Sequence, residues 1–189
     1  CHENGAFHAG GVNYSGSDID QLSAIKNNEQ PSSETYHVGA QGTAILTAPT
    51  GDVSTYYKIF ARVLEKGEIL SEIKTSNLRG RGGAGFPIAF KLEACAAQAN
   101  DPKFIVCNAD EGDPGAYSDR YIMEQRPHSL IQGMLIAGFA AKARYGVVYI
   151  RAEYPDSVTI IQNAIDEAKA LGWIGDNIMG SGFSFDFKV

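Results

Sequence analysis

Hydrophobic residues are spaced in two different ways along this chain. Through residues 1–50 the apolar positions follow neither a period of two nor one of 3.6 among abundant Gly, Ser, Asn and Gln, which predicts an extension or linker. From residue 54 the pattern turns helical. Tyr57, Ile59, Phe60, Val63 and Leu64 share one face of a helix predicted over 54–66, and a second short helix is predicted over 68–74. A glycine-dense loop interrupts the pattern, and residues 87–97 resume as a helix. Beyond it, strands and helices alternate. KFIVC (103–107) predicts a short buried strand, residues 129–144 an apolar helix, and GVVYIRA (146–152) a second strand. A further helix over 155–171 has Pro155 in its first turn and Gly172 at its end, and FSFDFKV (183–189) alternates as a third strand. Strand, helix, strand, helix, strand places the fold in the α/β class, with a parallel sheet joined by right-handed crossovers. The predicted domain is therefore 51–189, and the chain carries no internal repeat or low-complexity tract.

Composition narrows the function. With 44% hydrophobic and 20% charged residues over 189 positions, the chain can bury a core, and no apolar run approaches the roughly 18 residues of a spanning helix. No charged segment followed by an apolar stretch opens the sequence, so no signal peptide is expected either. Sixteen Lys and Arg against twenty-two Asp and Glu give a net charge of -6, which excludes an extended nucleic-acid surface. Cys1, Cys95 and Cys107 include no C-x-x-C pair, so they form neither a disulfide framework nor a complete Cys₄ metal site, and a reducing compartment is expected. Packing roles are assigned to Cys95 and Cys107. The spacing of Cys1, His2 and His8 matches no common metal site. A chain that opens on Cys and stops within a predicted strand is expected to be part of a longer protein.

Two loops carry candidate chemistry. Residues 78–87, Leu-Arg-Gly-Arg-Gly-Gly-Ala-Gly-Phe-Pro, hold four glycines within six positions and two arginines. Glycine permits the backbone angles of a concave nest of N–H groups, Arg79 or Arg81 adds charged donors, and phosphate is the natural ligand, delivered to the N-terminus of the following helix. Gly80, Gly82 and Gly85 formally satisfy G-x-G-x-x-G, but a helical stretch rather than a strand precedes them, which disfavours the standard dinucleotide turn; Walker A fails for want of Gly-Lys-Ser/Thr. The second loop, Asn108-Ala109-Asp110-Glu111-Gly112-Asp113, follows the first strand, at the sheet edge where open α/β folds seat ligands. Carboxylates repel phosphate and suit hydroxyls and ring N–H donors, so the two loops are complementary. A solvated acidic turn and a divalent-metal site stand as alternatives for the second loop, and a mobile surface loop for the first.

Residues 76–87 (SNLRGRGGAGFP), Lys91, CNADEGDPG (107–115), Asp119-Arg120, YIRAEYP (149–155) and GSGFSFD (180–186) together closely resemble the flavoprotein, NADH-binding subunit of respiratory complex I and the related diaphorase subunits of NAD-reducing hydrogenases and formate dehydrogenases. The likeness spans roughly residues 72–189. It implies a Rossmann-like domain, incomplete at its C-terminus and preceded by an irregular and helical region. The activity implied is an NADH dehydrogenase or diaphorase oxidoreductase that takes hydride from NADH onto FMN and passes electrons singly to iron–sulfur clusters. FMN phosphate and ribityl contacts fall by this resemblance on Gly80, Arg81, Gly82 and Gly83, with Lys91 nearby to stabilise negative charge on the cofactor. Asn108, Asp110 and Glu111 match flavin contacts, Phe86 an aromatic packing on the dinucleotide, and Asp113 a carboxylate bonding NADH. No catalytic side chain and no metal ligand is assigned.

Departures from the family pattern are also legible. Where Thr-Gly-Leu-Lys-Trp usually follows Phe-Pro, the sequence reads Ile88-Ala89-Phe90-Lys91-Leu92, and a second aromatic that stacks adenine in some members falls at Ala94. The Glu-Glu block that completes the flavin and NADH contacts and the cysteines of a 4Fe-4S cluster are not in this sequence. Partners implied are iron–sulfur and other subunits of a multi-subunit NADH-linked redox complex, in the cytoplasm or peripheral to the inner face of a membrane. The alternative is a nucleotide-binding regulatory or structural domain without redox activity. Arg151 and Glu153 are expected as a structural ion pair, Tyr149 and Tyr154 as packing residues, His128 at a helix start, and Trp173 capping the core.

Overall fold

The computed structural model describes residues 50–189 without a break, the backbone of β1 (Phe7–Ala9) and β2 (Val12–Tyr14), and isolated positions before residue 50. Most of the predicted extension over 1–50 lies outside the described residues. Two compact units divide the chain, residues 1–46 with 112–118 and residues 47–111 with 119–189. In the first, β1 and β2 pair antiparallel with Ala9 opposite Val12. Three-residue strands are too short to display an alternation, so this ladder left no period in the sequence.

The second unit begins with α1 (Val53–Tyr56), capped by the Asp52 carboxylate on the Ser54 N–H, and continues through α2 (Lys58–Lys66) and α3 (Ile69–Thr75). The helix predicted over 54–66 is thus broken at Tyr57. The break buries that ring completely, stacked on Trp173 at 5.5 Å with its hydroxyl 2.9 Å from His128 Nδ1. Burial holds the His128 imidazole below its ordinary pKa, while the Glu167 carboxylate beside Nε2 pulls the other way.

After the glycine loop come α4 (Ile88–Ala96), β3 (Phe104–Ala109), α5 (Ser118–Gln125), α6 (Pro127–Ala141), β4 (Tyr145–Ile150), α7 (Pro155–Ala170), a 3₁₀ turn (Ile178–Gly180) and β5 (Asp186–Lys188). The sheet order is β3-β4-β5, all parallel, as the α/β reading requires. Pro127 and Pro155 each sit in a first helical turn, where a missing N–H costs nothing. Helix α6, apolar on most of its surface, packs on β3, β4, α4 and α7 and buries Ile131 and Leu135 completely. It is the central element of the core.

The final strand is shorter than the alternation over 183–189 predicted. Phe185 instead bridges Gly175 through two backbone hydrogen bonds of 2.9 Å, and its ring is driven into the core. A Cβ on Gly138 would lie 2.3 Å from Phe185 Cε2, and one on Gly146 2.9 Å from Cε1. Bare backbone on both α6 and β4 makes room for that ring.

One face of the sheet is open, which corrects the reading of KFIVC as a buried strand. Alternation places Phe104, Val106 and Asn108 of β3 on the same face as Tyr145, Val147 and Tyr149 of β4. On that face Phe104 is 51% exposed, Val106 62% and Tyr149 60%, so Tyr149 does not pack in the core either. A run of apolar residues records propensity for a strand but not which of its two faces is covered.

Candidate functional site

The glycine loop is a closed structural unit. Arg79 and Pro87 form an antiparallel bridge, Gly80 N–H donates to Phe86 O at 2.9 Å and Ile88 N–H to Leu78 O at 3.0 Å. Arg79 Nη1 then donates to Gly85 O at 3.1 Å. This bracing separates the two arginines that sequence alone left equivalent. Arg79 holds the loop's neck, whereas Arg81 is exposed and makes no hydrogen bond or ion pair with a described residue.

Gly80 spends its N–H on the neck. Among the described residues, the amides of Gly82, Gly83 and Ala84 make no backbone hydrogen bond, and a Cβ at Gly82, Gly83 or Gly85 would meet nothing within 4 Å. Gly83 adopts φ 134° and Gly85 φ 60°, angles that side chains resist. The result is an open cradle of N–H donors beside a free guanidinium, which is the donor set an anion requires.

The loop runs directly into α4, and two aromatic rings stand at that junction. Phe86 is 44% exposed and Phe90 61% exposed, with centroids 5.6 Å apart and planes at 70°. Lys91 Nζ lies 5.5 Å above the Phe86 ring. The structure therefore brings Phe86 and Lys91 together where the hairpin that carries Arg81, Gly82 and Gly83 enters α4. Phe90 joins them although no motif marks it; it stands in the first turn of α4, where its ring meets that of Phe86 at the hairpin's exit.

The acidic loop resolves into groups with different duties. Asn108 Oδ1 accepts the Asp110 N–H at 3.1 Å, and both side chains are exposed at the C-terminal end of β3. Glu111 is 6% exposed and faces inward, its Oε1 accepting the Asp119 N–H at 2.9 Å and its Oε2 the Arg120 N–H at 3.2 Å. Tyr154 Oη donates to Oε2 at 3.3 Å, and Arg151 Nη1 donates to the Glu111 carbonyl. Its carboxylate thus caps α5 where the helix exposes unpaired N–H groups and positive dipole. Asp113 lies in the other compact unit, in a turn where its Oδ1 accepts the Gly115 N–H at 3.4 Å.

Arg151 and Glu153 form the expected ion pair at 2.9 Å. The paired guanidinium holds the Glu153 carboxyl down at about 2. The guanidiniums of Arg120 and Arg151 lie 5.3 and 5.4 Å from the centroid of the Tyr154 ring. Burial pushes the Cys107 thiol up, which suits packing and not reactivity. No cluster of three potential metal ligands occurs among the described residues.

Residues 73–186 match the family model described as the Nuo51 FMN-binding domain. The chain belongs to this family. The match encloses both loops and every site residue named above. Curated members include the NADP-reducing hydrogenase subunit HndC of Solidesulfovibrio fructosivorans, 47% identical over 135 residues, covering 70% of this chain and 27% of that protein. The mitochondrial NADH-ubiquinone oxidoreductase 51 kDa subunit of Neurospora crassa is 48% identical over 130 residues, covering 66% of this chain and 26% of that protein. Among solved structures, the NAD+-reducing [NiFe]-hydrogenase in the air-oxidized state superposes with TM-score 0.71 at 26% identity, over 93% of this chain and 30% of that one. This Nuo51-type chain therefore spans under a third of the length of these relatives. No helix among its described residues is long and apolar enough to cross a membrane.

Proposed function

We propose that this Nuo51-type chain forms the part of an NADH-oxidising flavoprotein that holds the FMN phosphate and receives NADH. The observation carrying this reading is the cradle of Gly82, Gly83 and Ala84 amides, without backbone partners and flanked by Arg81, in a family described as FMN-binding. The donor chemistry fits. Amides and guanidinium neutralise the phosphate, while Asn108 and Asp110 at the end of β3 supply an amide and a carboxylate for uncharged hydroxyl and ring N–H groups. Asp113 would serve the NADH side. Glu111 acts through α5 and keeps the end of β3 in place.

FMN, when bound, would accept hydride from NADH and release electrons one at a time. The protein's work is positioning, because hydride transfer needs donor and acceptor within about 3–3.5 Å. The subsequent acceptors are iron–sulfur clusters, including a 4Fe-4S cluster whose ligands are not among the three cysteines of this sequence. Partners would be iron–sulfur and other subunits of a multi-subunit redox complex, in the cytoplasm or against the inner face of a membrane.

Reconstitution of the protein with FMN tests the reading. Addition of NADH is expected to bleach the flavin band and to support ferricyanide reduction; tight nucleotide binding without bleaching would replace this function with a regulatory one. Lys91 carries a separate expectation. As a cation beside the loop it favours negative charge on the cofactor, so Lys91→Met should lower the FMN midpoint potential by about 30 mV, the two-electron equivalent of ~1.4 kcal/mol. An unchanged potential at normal FMN content would remove that role.

A further inference from the structure

The guanidinium of Arg151 joins the ends of two strands. Its Nε and Nη2 donate to Glu153 Oε2 and Oε1 at 3.1 and 2.9 Å, and the remaining Nη1 donates to the carbonyl of Glu111. Glu153 is 64% exposed, and an ion pair at such a surface contributes little stability. What the pairing supplies is orientation, because two donors fixed on one carboxylate set the plane of the guanidinium and the direction of Nη1. Ala109 and Ile150 are partners in the sheet, so Asp110 and Arg151 leave the ends of β3 and β4 side by side. The positive charge of Arg151 is held chiefly by Glu153, and the Asp110 carboxylate adds to it. Three residues on, Tyr154 Oη donates to Glu111 Oε2 at 3.3 Å. The segment after β4 thus holds Glu111 by both its carbonyl and its carboxylate.

We propose that Arg151 is the positioning residue of the acidic loop: by holding the Glu111 carbonyl it fixes the turn on which Asn108 and Asp110 stand, and with it the acceptors offered to the uncharged half of the cofactor. The inference rests on the FMN reading above. Arg151 acts through Glu111 and Asp110 and not by contact with the cofactor, as a support that keeps binding groups in one pose.

The test compares FMN with riboflavin, which has the same ring and ribityl chain but no phosphate, by fluorescence titration. Arg151→Met should weaken both about tenfold, since the glycine cradle that meets the phosphate is untouched. Arg151→Lys keeps a cationic donor for the Glu111 carbonyl and should bind within about threefold of the unsubstituted protein. Asp110→Asn should cost about fivefold in riboflavin affinity by itself and less than about twofold in the Arg151→Met background, where the acceptor is already out of place. In the unloaded protein, hydrogen exchange at residues 109–111 should quicken about tenfold in Arg151→Met and stay unchanged in α6. Equal riboflavin affinity in Arg151→Met, or losses that simply add for the two substitutions, would overturn the assignment and leave Arg151 a structural residue. Failure of the redox reading is distinguishable. In that case NADH leaves the flavin band of the unsubstituted protein unbleached while the binding cycle still reports on Arg151, and an unsubstituted protein that binds neither flavin would overturn both.

Discussion

Gly83→Val is expected to weaken FMN binding roughly ten- to a hundredfold while leaving the unfolding midpoint almost unchanged. Gly83 sits at φ 134°, a backbone region essentially reserved for glycine, and a β-branched residue held there costs about 1–3 kcal/mol. Nothing lies within 4 Å of the added Cβ, so the loop can relax into solvent without disturbing the core. Relaxation re-aims the unpartnered amides of Gly82, Gly83 and Ala84 that we assign to the phosphate. The cost therefore falls on ligand binding. Flavin fluorescence titration measures it, and FMN held as tightly by the valine variant would show that the cradle is not where the phosphate sits.

Glu111→Ala is expected to have the largest effect on stability, a loss of about 3 kcal/mol in urea unfolding. The buried carboxylate satisfies the Asp119 and Arg120 N–H groups and the Tyr154 hydroxyl, and each donor stranded out of water costs about 1–3 kcal/mol. Loss of a negative charge at the α5 N-terminus adds to this. Glu111→Gln keeps one acceptor oxygen and should cost about half as much. If Glu111 instead served chiefly as a flavin contact, Glu111→Gln would cut FMN affinity with stability intact. That pattern would overturn the capping role.

The two loops illustrate how far sequence carries an argument about this site. Four glycines beside two arginines are the basis for expecting an anion cradle, because glycine density is a local property legible along the chain. Which arginine braces the loop was not legible, since Arg79 and Arg81 have the same chemistry and differ only in what the folded hairpin brings near them. In the same way, Asn108, Asp110 and Glu111 looked equivalent along the chain. Strand alternation and the arrival of α5 turned Glu111 inward and left the other two outside. Helix α5 leaves little mark in the hydrophobic pattern, because its eight residues SDRYIMEQ hold their apolar side chains in one consecutive run, Tyr121-Ile122-Met123, too short to display a repeat.

By itself the sequence determined the α/β order of elements, the position of α7 with its first-turn proline, and the glycine density of residues 80–85. These follow from periodicity and backbone preference, which neighbouring residues settle among themselves. Only the tertiary structure decided that one face of the sheet stands open at Phe104, Val106 and Tyr149, that Phe185 fills the space against Gly138, and that Phe86 and Phe90 meet as an exposed pair. Burial depends on which distant element arrives to cover a face. A residue's own neighbours in sequence do not encode that arrival.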